Sequence, residues 1–281
     1  MFATLQKSID WKVEERPTYF QSKTGESIET GYKSIIRTDN ESLLSVRGKG
    51  FFAMPTEEFG EIKERIGEIS GFTFSGFSEF DGGKIILANF KNTNEDLRIN
   101  NFKIEDNLIV GNSYNGEKPF FLGTNMFMIR CSNQFSKITV HSKVRNTANA
   151  KTRREELLIM FEQYCKEKEL LYKTIEQFQT IEMKQIQMEI AAMKILSIQK
   201  EEGLDKIATR SQNRLDSIMQ SITHETAELG MNAFGFFNGV THYTTHTMES
   251  KHEAFGNFIG LKNELNQKAY NLCNQLLLET V

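Results

Sequence analysis

At 281 residues, with 39% hydrophobic and 25% charged side chains, the chain is long enough to bury one large core or two ordinary ones. A formal charge of −3 excludes a uniformly basic nucleic-acid binder, so any such binding must rest on a local patch. Cys131, Cys165 and Cys273 lie far apart without Cys-x-x-Cys spacing, which argues against a disulfide framework or a thiolate zinc site and for reduced, buried thiols.

The N-terminal residues show no charged region ahead of an apolar run, and nowhere do 18 apolar residues follow one another. The expectation is a cytoplasmic protein. All three prolines (Pro17, Pro55 and Pro119) and most glycines precede residue 149, the composition shift that separates a turn-rich sheet from helices. The fold class expected is therefore α+β, with a mostly antiparallel sheet domain over 1–148 and a helical region over 149–281.

In the first part, Tyr32–Thr38 and Leu43–Met54 are rich in β-branched and aromatic residues and read as strands. Pro55 and Thr56 then open a helix to about Ile69, with Thr56 as N-cap and Glu57 and Glu58 favouring the positive helix end. Phe72–Phe77 alternates apolar and polar residues, turns at Asp81-Gly82-Gly83, and pairs with Lys84–Phe90 as a hairpin. Strands at Asn107–Ser113 and Pro119–Arg130 flank an Asn115-Gly116 turn, and a last strand follows at Ile138–His141.

From Asn149 to Leu229 there is one glycine, Gly203, and no proline, so nothing interrupts a helix. Leu157, Phe161, Tyr164, Leu171, Ile175 and Phe178 form a stripe that drifts on through Ile181, Ile186, Ile190 and Met193. A continuous helix over Thr152–Gln199 would be roughly 70 Å long, too long for a small domain unless it bends, projects or meets a partner. Gly203 is the expected break before a second helix with Leu215, Ile218, Met219 and Ile222 on one face, folded back on the first. The last helix carries Phe255, Phe258, Leu261, Leu265, Ala269, Leu272 and Leu276 at three–four spacing. Met160, Leu170, Met183, Met188 and Ile195 lie off the main stripe, which predicts a homo-oligomer that covers them.

Arg130-Cys131-Ser132-Asn133-Gln134-Phe135 resembles the Arg-x-x-Cys-x-Asn-x-Leu strand and turn of a family of phage- and plasmid-borne proteins carrying domain of unknown function 932. Asn232-Ala233-Phe234-Gly235-Phe236-Phe237-Asn238-Gly239-Val240-Thr241-His242-Tyr243 with His246 is similar to that family's C-terminal motif, and Asn112-Ser113-Tyr114-Asn115-Gly116 to its Asn-Ser-His-Asp-Gly turn. His242 stands where the family usually has Glu, while Asn146 and Tyr114 stand where it often has His. The resemblance runs from about Trp11 to Leu277 and implies a mobile-element origin, a bacteriophage protein acting in a bacterial cytoplasm.

No nucleophile signature occurs, and Arg47-Gly48-Lys49-Gly50 lacks the spacing of a phosphate loop, so the expectation is a non-enzymatic protein without catalytic residues or cofactor. His242 and His246 are four apart, a spacing that suits zinc, with His224 and His252 as further donors. The neighbour of His242 is Tyr243 and not the Glu of a metalloprotease, so the expectation is hydrogen-bonded structural histidines and no metal. Lys143, Arg145, Lys151, Arg153 and Arg154 crowd the start of the long helix with no acid among them, against the helix dipole. An anion would resolve that conflict, whereas a solvated face with a Thr152–Glu155 capping box would leave it a surface feature. With Trp11, Phe51, Phe52, Phe74 and Phe77 as sheet aromatics, the functional expectation is single-stranded DNA binding in phage replication or recombination. The alternative is a factor that docks on and modulates a host protein through the long helix.

Overall fold

The computed structural model describes residues 6–68, 71–93, 98–99, 102–128, 134–137, 143–198, 207–249 and 260–280. It is an α+β chain whose strands pair antiparallel and precede a series of helices. Two compact units divide it: one comprises residues 1–95, 107–124 and 138–165, the other 96–106, 125–137 and 166–281.

The first unit opens with a three-stranded sheet of β1 (Val13–Gln21), β2 (Ser27–Arg37) and β3 (Leu43–Gly48), in that order. β1 was not foreseen, because its charged residues and Pro17 hide any alternation; the register shift between Pro17 and Tyr19 accommodates the proline. Helix α1 (Glu57–Glu68) buries Phe59, Ile62 and Ile66, a three–four stripe in which each side chain contributes about 1.5–3 kcal/mol of transfer free energy. Phe59 meets Phe77 edge-on at a centroid distance of 6.0 Å.

Phe77 lies on β4 (Phe72–Phe80), which pairs with β5 (Ile85–Asn92) across a 3₁₀ turn at Asp81–Gly83. The short β6 (Arg98–Ile99) pairs with β7 (Phe102–Ser113), and β8 (Phe120–Met128), β9 (Gln134–Lys137) and β10 (Lys143–Val144) complete a sheet whose main path is β10-β8-β7-β5-β4. Gly116 turns the β7–β8 connection at φ 65°, with the Arg47 guanidinium only 2.8 Å from where a Cβ would stand. Thr56 does not serve as foreseen: its hydroxyl donates to the Trp11 carbonyl at 2.7 Å, while the Pro55 and Thr56 carbonyls accept the N–H groups of Glu58 and Phe59.

Helix α2 (Ala150–Gln177) ends in a 3₁₀ turn at Phe178–Thr180, and α3 (Gln185–Leu196) starts afresh, so the helix expected over Thr152–Gln199 is broken near 181–184. The break has a tertiary cause. Met183 N–H donates to the Met231 carbonyl at 3.0 Å and Ala233 N–H to the Ile181 carbonyl at 2.8 Å, stitching this segment to the loop between α4 (Thr209–Leu229) and α5 (Ala233–His242). α4 packs on α3 and α5, a π turn follows at Tyr243–Thr247, and α6 (Leu261–Thr280) packs on α5.

Met183, Met188 and Ile195 are buried in the second unit's own core, so they need no outside partner, whereas Leu170 is 68% exposed. Leu261 is exposed rather than core-facing. Gly203, Phe255, Phe258, the Arg130–Asn133 stretch and the strand expected at Ile138–His141 lie outside the described residues. No described helix is long and apolar enough to cross a membrane.

Candidate functional site

In the first unit, β10 ends at Val144, and α2 begins six residues later. The Ala150 N–H donates to the Thr147 carbonyl at 2.9 Å and the Arg153 N–H to the Asn149 carbonyl at 3.3 Å, so Thr152 sits inside the helix and does not cap it. The first turn contains no acid.

Of the five clustered cations, Lys143, Arg145, Lys151 and Arg153 are exposed and make no salt bridge among the described residues. Arg154 differs. It shares a helix face with Ala150, Leu157 and Leu158, is buried, donates to the Glu58 carboxylate, and lies 5.8 Å from the Phe120 ring centroid. Its guanidinium is part of the core and is withdrawn from the surface patch.

The stretch before α2 is held from below. Asn146 is buried and donates from Nδ2 to Asn112 Oδ1 at 2.8 Å, and Ser113 Oγ donates to the Lys118 carbonyl at 2.6 Å. Tyr114 is fully buried edge-on to Trp11, 5.9 Å between centroids, and burial pushes its phenol well above the usual range. The Phe52 N–H donates to the Asn146 carbonyl at 3.0 Å, which fastens the Phe52 backbone to the residue after Arg145. Phe52 is 44% exposed and carries the Lys33 ammonium 4.5 Å from its ring centroid.

The other sheet aromatics are placed differently from the sequence expectation. Trp11 and Phe77 are core, and Phe51 and Phe74 are half-buried. Tyr19, Phe20 and Tyr32 are instead more than half exposed on β1 and β2. Tyr19 and Phe20 are adjacent on a strand, so at least one had to face out, a signal the sequence reading passed over.

The family described as Domain of unknown function (DUF932) matches this chain over residues 43–268. The chain belongs to that family. No curated protein and no solved structure matches it. In this DUF932 chain the turn at Asn112–Gly116 and Asn146 belong to the buried network under the cationic stretch. The C-terminal stretch Asn232–His246 builds a second arrangement, in the second unit.

There Asn232 caps α5, its Oδ1 accepting the Gly235 N–H at 2.9 Å. Gly235 and Gly239 lay α5 flush on α4: a Cβ on Gly239 would stand 2.4 Å from Ile222 Cα, and one on Gly235 2.4 Å from the Gly230 carbonyl oxygen. The same face continues into His242 and His246. Ring centroids of His242 lie 5.2 Å from His224 and 4.8 Å from His246. Glu225, buried on α4, joins them: one ligand atom from each of His224, Glu225 and His242 falls within 4.8 Å of the others. Sequence spacing suggested His242 and His246 but had no means of placing Glu225. Burial foremost, then the neighbouring His246 and His224, lowers the His242 imidazole below its usual range.

Proposed function

We propose that this chain binds single-stranded DNA without catalysing a reaction, as a bacteriophage or plasmid protein working in replication or recombination in a bacterial cytoplasm. The observation that carries the reading is the hydrogen bond from the Phe52 N–H to the Asn146 carbonyl, because it ties an exposed aromatic residue to the stretch of chain that bears the exposed cations. Phosphates would be met by Lys143, Arg145, Lys151 and Arg153 and by the N–H groups at the start of α2, whose first turn lacks acids. Bases would stack on Phe52 and on the exposed Tyr19, Phe20 and Tyr32.

A local patch of this kind acts within a net charge of −3, so binding is expected to be weak at physiological salt and steep in its salt dependence. We further propose self-association through exposed helical residues, Leu170 on α2 and Ile186 and Ile190 on α3. The test is anisotropy of a labelled oligonucleotide across a salt series, with Phe52→Ala and a variant lacking the four cations. A chain that leaves the oligonucleotide unbound at low salt would turn the reading to its alternative, docking on a host protein.

A further inference from the structure

We infer that His224, Glu225, His242 and His246 form a binding site for a divalent transition metal of the zinc type, one that ties the π turn after α5 to α4. The donor set favours this class of ion: three imidazoles are borderline ligands, one carboxylate adds an oxygen, and no thiolate takes part. Magnesium and calcium require a shell of oxygens, which this site does not offer. Three of the chain's five histidines meet here.

The scaffold positions them through close packing. Gly235, Gly239, His242 and His246 follow one another at spacings of four, three and four, so they share one face of α5 and its continuation. The two glycines leave no room for a side chain between α5 and α4, and His242 is thereby carried to His224 and Glu225. Ligands on two tightly packed helices are held more closely than ligands on loops. The π turn, closed by the Met248 N–H to the Tyr243 carbonyl at 2.9 Å, carries His246, and such turns recur at functional sites.

A set of merely structural histidines would spend its ring nitrogens on hydrogen bonds. His242 does not: its Nδ1 is buried and has no hydrogen-bond partner among the described residues.

The spacing is also close to what coordination needs. Zinc bonds of 2.0–2.1 Å in a tetrahedron put donor atoms about 3.3 Å apart, so a span of 4.8 Å has to contract by roughly 1.5 Å. The exposed His224 can rotate inward to supply that change, the exposed His246, whose ring centroid lies 4.8 Å from that of His242, can turn in as the fourth donor, and their exposure also gives the ion its way in. With four protein ligands the site closes, which makes it a structural clamp and leaves no position for a substrate.

The test uses the tag-free full-length chain after chelator treatment, titrated with zinc against a chromophoric competitor and, separately, with cobalt(II). The expected result is one equivalent of zinc bound, a visible spectrum of four-coordinate cobalt, and a melting temperature raised by zinc but not by magnesium. His224→Ala and His246→Ala, both at exposed positions, are expected to melt like the unaltered chain without metal and to bind zinc at least tenfold more weakly. His141→Ala and His252→Ala should bind zinc as the unaltered chain does. Absence of stoichiometric zinc, or equal affinity in the His224→Ala and His246→Ala variants, overturns the site.

Discussion

Arg154 donates to Glu58 from Nε at 2.9 Å and from Nη2 at 2.5 Å, with the two side chains only 6% and 13% exposed. This pair joins the first turn of α1 to the first turns of α2, across 96 residues of sequence. Removing the guanidinium strands a carboxylate with little water around it. Arg154→Ala should therefore cost about 3 kcal/mol in urea unfolding. Arg153→Ala, at the exposed neighbour, should stay within about 0.5 kcal/mol. Equal effects would mean that Arg154 is not held as described.

Glycine substitutions separate close helix packing from mere helix propensity. A methyl at Gly239 meets backbone, Ile222 Cα at 2.4 Å, so Gly239→Ala should destabilise by about 1–3 kcal/mol. Gly60 lies exposed within α1 with nothing near its missing Cβ, so Gly60→Ala should stabilise by about 0.5–1 kcal/mol. Thermal melts of the two variants should move in opposite directions.

Cys273 is fully buried on α6, with its thiol 3.6 Å from the Ala233 carbonyl oxygen. Burial pushes the thiol up, away from the thiolate that reacts, and it stays protonated through the neutral and mildly alkaline range. Alkylation followed by peptide mapping should label Cys273 only after denaturation; rapid labelling in the native protein would show the α5–α6 packing to be wrong.

Self-association is expected to use α3. Ile186 and Ile190 are one turn apart, and each is about three-fifths exposed (59% and 60%). Light scattering should give a mass above that of one chain, falling on dilution, and Ile186→Lys with Ile190→Lys should lower it at fixed concentration. A monomer at every concentration removes the proposal.

Much of the first unit could be read from its sequence because local signals decide it. Glu57 and Glu58 open α1, and Asp81-Gly82-Gly83 turns the β4–β5 hairpin, as their chemistry requires. What escaped reading was decided at a distance. Residues 181–184 contain neither glycine nor proline, and the helix stops there because Met183 and Ile181 bond to the α4–α5 loop. Arg154 looked like one more member of a basic run, although its spacing from Ala150, Leu157 and Leu158 already placed it on the inner face. Of the candidate sites, the cationic stretch was visible as composition. Glu225 joins the histidines only through tertiary packing, because Gly239 lets α5 lie against α4.

The most direct test of nucleic-acid binding is the salt dependence of single-stranded oligonucleotide affinity, compared between the unaltered chain and one carrying Lys143→Ala, Arg145→Ala, Lys151→Ala and Arg153→Ala. At about 0.7 in the slope of log K against log salt for each phosphate contact on a single strand, losing four contacts should flatten the slope by about 3 and weaken binding at low salt, with the melting temperature nearly unchanged. An identical slope and affinity in the two proteins, or no binding by the unaltered chain at low salt, would contradict the proposed interface.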